Sequence, residues 1–154
     1  MKLKMMMLAL VVFFAGAVVA SADSPHMGTW KLNEAKSHFS KGATKNNTVV
    51  YEASGDMIKV TVDGTAADGS AVHSEWTGKW DGKYYAVTGS ATGDMRAYAR
   101  VNSRTLSFHE KQGGKVVLNG TITVSRNGKM RTVRTTSKNA QGKWVSNTAV
   151  YDKQ

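Results

Sequence analysis

From Thr48 onward, apolar and polar residues alternate with a period of two, and short polar turns interrupt the alternation. Residues two apart in a strand share one face, so segments of this kind bury one side and leave the other in water. No helical period of useful length competes; only Asn33 to Phe39 has the pattern of a helical turn or two, with Asn33 as its cap. After a first strand around Trp30, the predicted strands are Thr48–Ala53, Met57–Val62, Val72–Trp80, Tyr84–Thr88, Met95–Val101, Thr105–Lys111, Lys115–Val124, Met130–Thr136 and Trp144–Tyr151.

The turns predict how these strands connect. Tight turns such as Asp81-Gly82-Lys83 and Asn127-Gly128 alternate strictly with longer links such as Asp63 to Ala71 and Ser137 to Lys143. Short links make antiparallel hairpins, and alternate turns of a meander lie at opposite ends. A sheet of nine or ten strands with one apolar face must curl to bury it, and closure removes both edges. The sequence therefore predicts an all-β fold, a single antiparallel up-and-down β-barrel with one end framed by longer loops. An open β-sandwich is the alternative.

Alternation also predicts which side chains face inward. The expected interior residues are Ile58, Val60, Val62, Trp76, Trp80, Leu106, Phe108, Val116, Leu118, Ile122 and Val124. The expected outer residues are Lys59, His73, Glu75, Lys79, Arg96, Tyr98, Arg100, His109 and Lys111. Gly78 and Gly120 interrupt strands, where glycine permits sharp coiling or a bulge. A transmembrane barrel is disfavoured, because its strands run to ~9–11 residues with an outward apolar band.

Residues 1–22 have the composition of a secretory signal peptide. Lys2 and Lys4 form a basic start, Met5 to Val19 an apolar run, and Ala20-Ser21-Ala22 an A-x-A cleavage site. The run is shorter than the ~20 residues of a spanning helix. We therefore expect export to a periplasm or the exterior, cleavage after Ala22, a β-barrel domain over residues 23–154, and no integral membrane insertion after cleavage.

The amino-acid composition narrows the classes of protein that this chain can belong to. The chain has no cysteine, so disulfides and thiolate metal sites are excluded, and an exported domain without them favours a bacterial source. Without Lys2 and Lys4, 19 basic residues face 11 acidic ones, a formal net charge of +8. The basic residues are scattered rather than clustered, which favours a solvated surface over nucleic-acid binding.

Signals for catalysis and metal binding are weak. The histidines have no spacing that predicts a closed metal site, although His73 and Glu75 share one strand face. No Gly-x-Ser-x-Gly elbow or phosphate-binding glycine loop occurs in the sequence. Serine triads are recognised by geometry rather than by sequence order, so a small barrel enzyme stays among the alternatives.

The segment Gly28-Thr29-Trp30-Lys31-Leu32 resembles the start of many fatty-acid-binding proteins, and its Gly-x-Trp is similar to that of the calycins, the barrel group that includes lipocalins. The resemblance implies a barrel in which Trp30 folds across one end and its indole N–H finds a partner. Fatty-acid-binding proteins commonly hold the ligand carboxylate with Arg-x-Tyr on the last strand. Here the matching residues are Ala149-Val150-Tyr151, so the arginine is missing. In lipocalins a late arginine packs over the indole, a role that Arg134 or Arg131 would fill.

These features predict an exported, non-catalytic binding protein for a small apolar or amphipathic ligand, with no cofactor or metal and a monomeric state. The ligand-binding candidates are Trp76, Trp80, Phe108, Leu118, Arg134 and Tyr151, and the structural candidates are Gly28 and Trp30. With Ala149 in place of an arginine, we expect poor discrimination for fatty acids over neutral compounds, unless Arg134 turns inward. An interaction or inhibitor protein acting through its basic surface is the alternative. An interior void above ~300 Å³ would favour the ligand.

Overall fold

The computed structural model describes residues 24–154; the predicted signal peptide and its cleavage site lie outside the described residues. The strands are β1 (Gly28–Leu32), β2 (Lys45–Ser54), β3 (Met57–Thr65), β4 (Ala71–Gly78), β5 (Asp81–Thr88), β6 (Met95–Asn102), β7 (Thr105–Gln112), β8 (Lys115–Val124), β9 (Met130–Lys138) and β10 (Trp144–Lys153). One short 3-10 helix spans Glu34–Lys36. Within this part of the chain, no helix is long and apolar enough to cross a membrane.

The ten strands form one closed antiparallel barrel. Each strand pairs with its neighbours in sequence, and β1 pairs with β10 to complete the circle, with Trp30 opposite Lys153 and Leu32 opposite Tyr151. The predicted up-and-down barrel is confirmed, and the open sandwich is wrong. Closure is favoured because it pairs the edge strands while burying the apolar face of every strand.

The β4–β5 connection differs from the prediction. The sequence predicts a tight turn at Asp81-Gly82-Lys83, but β4 ends at Gly78 and β5 already begins at Asp81. The register of β5 against β6 shifts between Asp81 and Tyr84, and Gly82 has a φ of 79°. Glycine adopts this left-handed conformation without strain, so the Asp-Gly pair forms a bulge inside the strand instead of a hairpin.

The segment between β1 and β2 is fastened to the last strand. The predicted helical turn shortens to the 3-10 helix, and the Asn33 side chain accepts a hydrogen bond of 3.2 Å from the Lys36 backbone N–H, as a cap. The Val150 backbone N–H donates to Ser37 Oγ at 2.9 Å, and Ser37 Oγ donates to the Asn33 carbonyl at 2.7 Å. These bonds hold the segment beside the end of the barrel that the long loops frame.

The interior follows the predicted alternation except on two strands. The sequence predicts Arg96 and Tyr98 of β6 outside, yet they are 8% and 3% exposed, whereas Val101 is 61% exposed. Arg96 lies opposite Glu110 of β7, and the Tyr98 ring stacks on Phe108 at 5.5 Å between centroids. Partners inside the barrel thus compensate the burial of these polar groups.

The second exception is Val116 on β8. The sequence predicts it inside, but it is exposed, because the register between β7 and β8 shifts beside it. Glu110 faces Leu118, whereas the next residue, Lys111, faces Val116, so one residue of β8 is left over. Such a bulge breaks the alternation of faces, and Val116 turns outward with Lys111.

Candidate functional site

The barrel encloses a cavity of about 780 Å³. Its rim is formed by the β1–β2 segment around Phe39 to Thr44, by Ala67, by Ser90 to Thr92 and by Lys138 to Gln141. Most of these residues lie in the longer connections, as predicted. The β7–β8 link is an exception: the sequence predicts a longer link from Gln112 to Gly114, but β7 and β8 are joined at this end by the two-residue turn Gly113-Gly114. The cavity is larger than the ~300 Å³ at which ligand pockets begin.

Three of the predicted ligand-binding residues line this cavity. Phe108, Leu118 and Tyr151 contribute to its wall, and Ala149 stands beside them on β10. Phe108 and Leu118 belong to one buried apolar cluster of the barrel. The structure thus brings together an apolar wall of the kind that small-molecule sites use.

The other three predicted residues do not line the cavity. Trp76 is buried below its wall, where its indole N–H donates a 2.9 Å hydrogen bond to the Arg96 carbonyl. Trp80 packs near the closed end, with its ring centroid 5.6 Å from that of His26. Arg134 is exposed on the outer face, because Arg131 and Val133 occupy the inward positions of β9.

Trp30 closes the floor of the barrel, as the resemblance implies. Its indole N–H donates a hydrogen bond of 2.9 Å to the His26 carbonyl, and its side chain is fully buried. The guanidinium carbon of Arg131 lies 5.0 Å from the centroid of the Trp30 ring, and Lys153 Nζ lies 5.2 Å from it. Of the two arginines considered for this contact, Arg131 is the one that makes it. Gly28 opens β1 with a φ of 99°, which favours glycine.

Arg131 is also part of the cavity wall. Its side chain is 2% exposed, and its Nε and Nη1 atoms are buried without a hydrogen-bond partner. The rings of Tyr51 and Tyr151 lie 5.1 and 4.6 Å from its guanidinium carbon. Burial raises the pKa of Tyr151 to about 12, so this phenol is neutral near pH 7. The sequence named Arg131 only as a partner for Trp30; its alternation with Val133 was the signal that it faces inward.

A second polar group lies nearer the rim. Arg96 Nε donates to Glu110 Oε1 at 2.6 Å, and Nη2 contacts the same oxygen. Thr92 and Ser90, from the β5–β6 loop, donate to Glu110 Oε2, the latter at 3.3 Å. Burial acts to lower the pKa of Arg96, but the nearby Tyr98 and Glu110 oxygens outweigh it, so the pKa is raised and the guanidinium stays charged. Sequence reasoning missed Glu110, which follows Phe108 at the inward spacing of two.

No group of three or more metal-binding side chains comes together among residues 24–154. His73 Nδ1 lies 2.6 Å from Asp63 Oδ1, and Nε2 lies 3.7 Å from Glu75 Oε1, all on the exposed outer face. The hydrogen bond that His73 donates to Asp63 raises the pKa of His73. The same Glu75 oxygen also pairs with Lys59 Nζ at 2.9 Å, so this surface is a small ion-pair network.

No family model matches the chain, and no curated protein matches its sequence. Three solved β-barrels are similar in architecture. EF1p2_mFAP2b bound to DFHBI has 12% identity and a TM-score of 0.47, over 84% of this chain and 94% of that chain. The redesigned β-barrel mFAP1, also bound to DFHBI, has 16% identity and a TM-score of 0.44, over 84% and 95%. A fluorescence-activating β-barrel designed de novo has 14% identity and a TM-score of 0.46, over 88% and 99%.

Proposed function

We propose that this protein is an exported, non-catalytic binding protein that takes a small apolar or amphipathic ligand into its barrel. The observation that carries the proposal is the cavity of about 780 Å³, which runs from the long-loop rim to Arg131 at the floor. Ligand sites typically measure ~300–1,000 Å³. A protein that acted only through its outer surface would be more stable with a filled core, since cavities cost stability.

A calycin-like relationship is part of the proposal. It is supported by Trp30 at the floor, by the packing of Arg131 over its ring, and by Tyr151 on the last strand. These contacts join β1, β9 and β10 at one end of the barrel. The other end is left open to a ligand, which is the arrangement that such a relationship requires.

Export is proposed from the composition of residues 1–22 and from the absence of cysteine, which together suit a bacterial periplasm or secreted protein. N-terminal sequencing of protein from the extracytoplasmic fraction should begin at Asp23. Intact Met1 in that fraction would contradict the proposal. Size-exclusion chromatography with light scattering tests the expected monomer.

The binding function is tested with phenylnaphthylamine, a neutral apolar dye whose fluorescence rises when water is excluded. The protein should bind about one equivalent, with quenching of tryptophan emission. Ala149→Phe places a ring in the cavity and should abolish binding, whereas Ser146→Phe, three residues away on the exposed face of β10, should leave it intact. Equal binding by both variants would contradict an interior site. Native mass spectrometry of protein from its own compartment then shows whether a small molecule co-purifies.

A further inference from the structure

The buried charges of the cavity wall do not balance. Within residues 24–154, the buried, permanently charged or acidic side chains are Arg96, Glu110 and Arg131. Both Glu110 oxygens are engaged, one by Arg96 and the other by Thr92 and Ser90. Arg96 and Glu110 therefore neutralise each other, and the positive charge of Arg131 is left without a counterion.

The neighbours of Arg131 do not replace that counterion. The rings of Trp30, Tyr51 and Tyr151 contact the guanidinium through their π-faces, which attract a cation but accept none of its in-plane N–H bonds. Tyr151 is neutral near pH 7, as described above. A buried cation with unpaired donors is costly, and an anion that reached it would remove this cost.

The route from the rim to Arg131 also suits an anion. Lys41 and Lys138 stand at the rim, and Glu110, the one buried carboxylate among residues 24–154, is already paired. An anion entering the cavity thus meets positive charge at the mouth and an unpaired guanidinium at the floor. Low-dielectric walls strengthen this attraction.

We infer that Arg131 is the anion site of the cavity. The inference rests on the proposed function and specifies its ligand class: an amphipathic molecule with one oxyanion group, such as a carboxylate or sulfonate. That group accepts hydrogen bonds from Arg131, while the apolar body lies against Phe108, Leu118 and Val133. The poor discrimination between fatty acids and neutral compounds that Ala149 predicts is thereby replaced by a preference for the anion, because Arg131 of the neighbouring strand supplies the cation.

Two dyes of the same framework test this inference. Anilinonaphthalene sulfonate carries an anion, and phenylnaphthylamine lacks it. The unaltered protein should bind the sulfonate at least about tenfold more tightly, which is the effect of a strong charge-assisted hydrogen bond. This preference should persist at high salt, because a buried pair is screened little.

Variants on one strand then locate the site. Arg131→Met should bind the sulfonate no more tightly than phenylnaphthylamine; near-ultraviolet circular dichroism checks that the variant is folded. Arg134→Met, on the outer face of the same strand, should bind both dyes like the unaltered protein. Ala149→Asp leaves Trp30, Tyr51 and Tyr151, which contact Arg131, unsubstituted and adds a carboxylate on the inner face of β10. It should therefore also abolish the preference. If Arg131→Met does not fold, the dye preference of Ala149→Asp still tests the inference.

Each contrary result has a distinct meaning. Binding of phenylnaphthylamine without a preference for the sulfonate would overturn the anion site and leave the proposed function standing. Failure of both dyes to bind would overturn both. Sulfonate binding that survives in Arg131→Met and Ala149→Asp, or that disappears at high salt, would also overturn the inference, because the anion would then bind the basic outer surface.

Discussion

The carbonyl oxygen of His26 accepts a hydrogen bond of 2.9 Å from the indole nitrogen of Trp30, four residues later. The bond holds the residues before β1 against the closed end of the barrel, where the His26 side chain is buried beside Trp80. The closed end of the barrel is therefore made of chain that precedes the first strand as well as of the strand itself. The stability of this end of the barrel should therefore depend on both His26 and Trp30.

Replacing Trp30 should strongly destabilise the protein. Trp30→Ala removes a fully buried aromatic ring and the partner of the His26 carbonyl, so the free energy of unfolding should fall by ~3–5 kcal/mol. Trp144→Ala is the control, since Trp144 is 47% exposed and should cost much less. Chemical denaturation measures both. A Trp30→Ala effect below ~1 kcal/mol would show that Trp30 does not close the floor.

Acid should weaken the floor through His26. Burial, followed by the charges of Arg131, Arg100 and Lys153, lowers the pKa of His26 to about 4. Between the ordinary value of about 6.5 and this value, the unfolded chain binds a proton that the native protein does not. Stability should therefore fall as the pH drops through this window, by up to about 3 kcal/mol, and level off below it. Urea unfolding of the protein and of His26→Leu, compared from pH 8 to pH 4, should show that the variant lacks this component.

Protonation of His73 should stabilise the protein, whereas protonation of His26 destabilises it. The pKa of His73 is raised by the hydrogen bond that it donates to Asp63, so the native protein binds the proton more tightly than the unfolded chain. Its contribution to stability is present below the ordinary pKa and is lost as the pH rises through the raised one. His73→Asn should remove this small gain at acid pH and leave the loss due to His26 unchanged. The same urea series measures the difference.

Breaking the buried ion pair should be costly. Glu110→Gln leaves Arg96 charged and buried without its counterion, so the free energy of unfolding should fall by ~3–5 kcal/mol. Lys79→Ala removes a 2.6 Å ion pair with Asp56 on the exposed surface and should cost less than ~1 kcal/mol. Similar losses for the two variants, measured by thermal unfolding, would show that the Arg96 and Glu110 pair is not buried.

Gly120 should control the position of Phe108. These residues face each other on β7 and β8, and a Cβ atom at Gly120 would overlap the Phe108 ring. Gly120→Ala should push the ring into the cavity, reduce phenylnaphthylamine binding and cost about 1–3 kcal/mol. In Gly55→Asn, a control in an open turn, the asparagine tolerates the positive φ and should have little effect on binding. Unchanged dye binding by Gly120→Ala would mean that Phe108 does not border the site.

The sequence was sufficient to predict the barrel because its architecture depends on repeated local signals. Turn residues and a period of two determine each hairpin separately. Where the predicted turn is wrong, as at Asp81-Gly82, the start of a strand moves but the order of the strands stays the same. The closed end was predicted from a single side chain, Trp30, because a ring of this size on the first strand can be buried in few positions of a small barrel.

The polar part of the site could not be predicted in the same way. The sequence predicts Arg96 on the outer face and names Arg131 only as a partner for Trp30, and the surroundings of both depend on cross-strand neighbours. Glu110 neutralises Arg96 from the next strand, and the rings of Tyr51 and Tyr151 surround Arg131 from two others. Such pairings depend on strand register, which bulges alter locally, as at Val116.

The pairing of β1 with β10 also determines when the barrel can form. Trp30 and Leu32 meet Lys153 and Tyr151 across that seam, so the first strand acquires its second neighbour only when the last one is available. Contacts between residues so distant in sequence form late, because a long loop must close first. Because synthesis proceeds from the N-terminus, the barrel remains open until the final strand is complete, and its cavity forms only then.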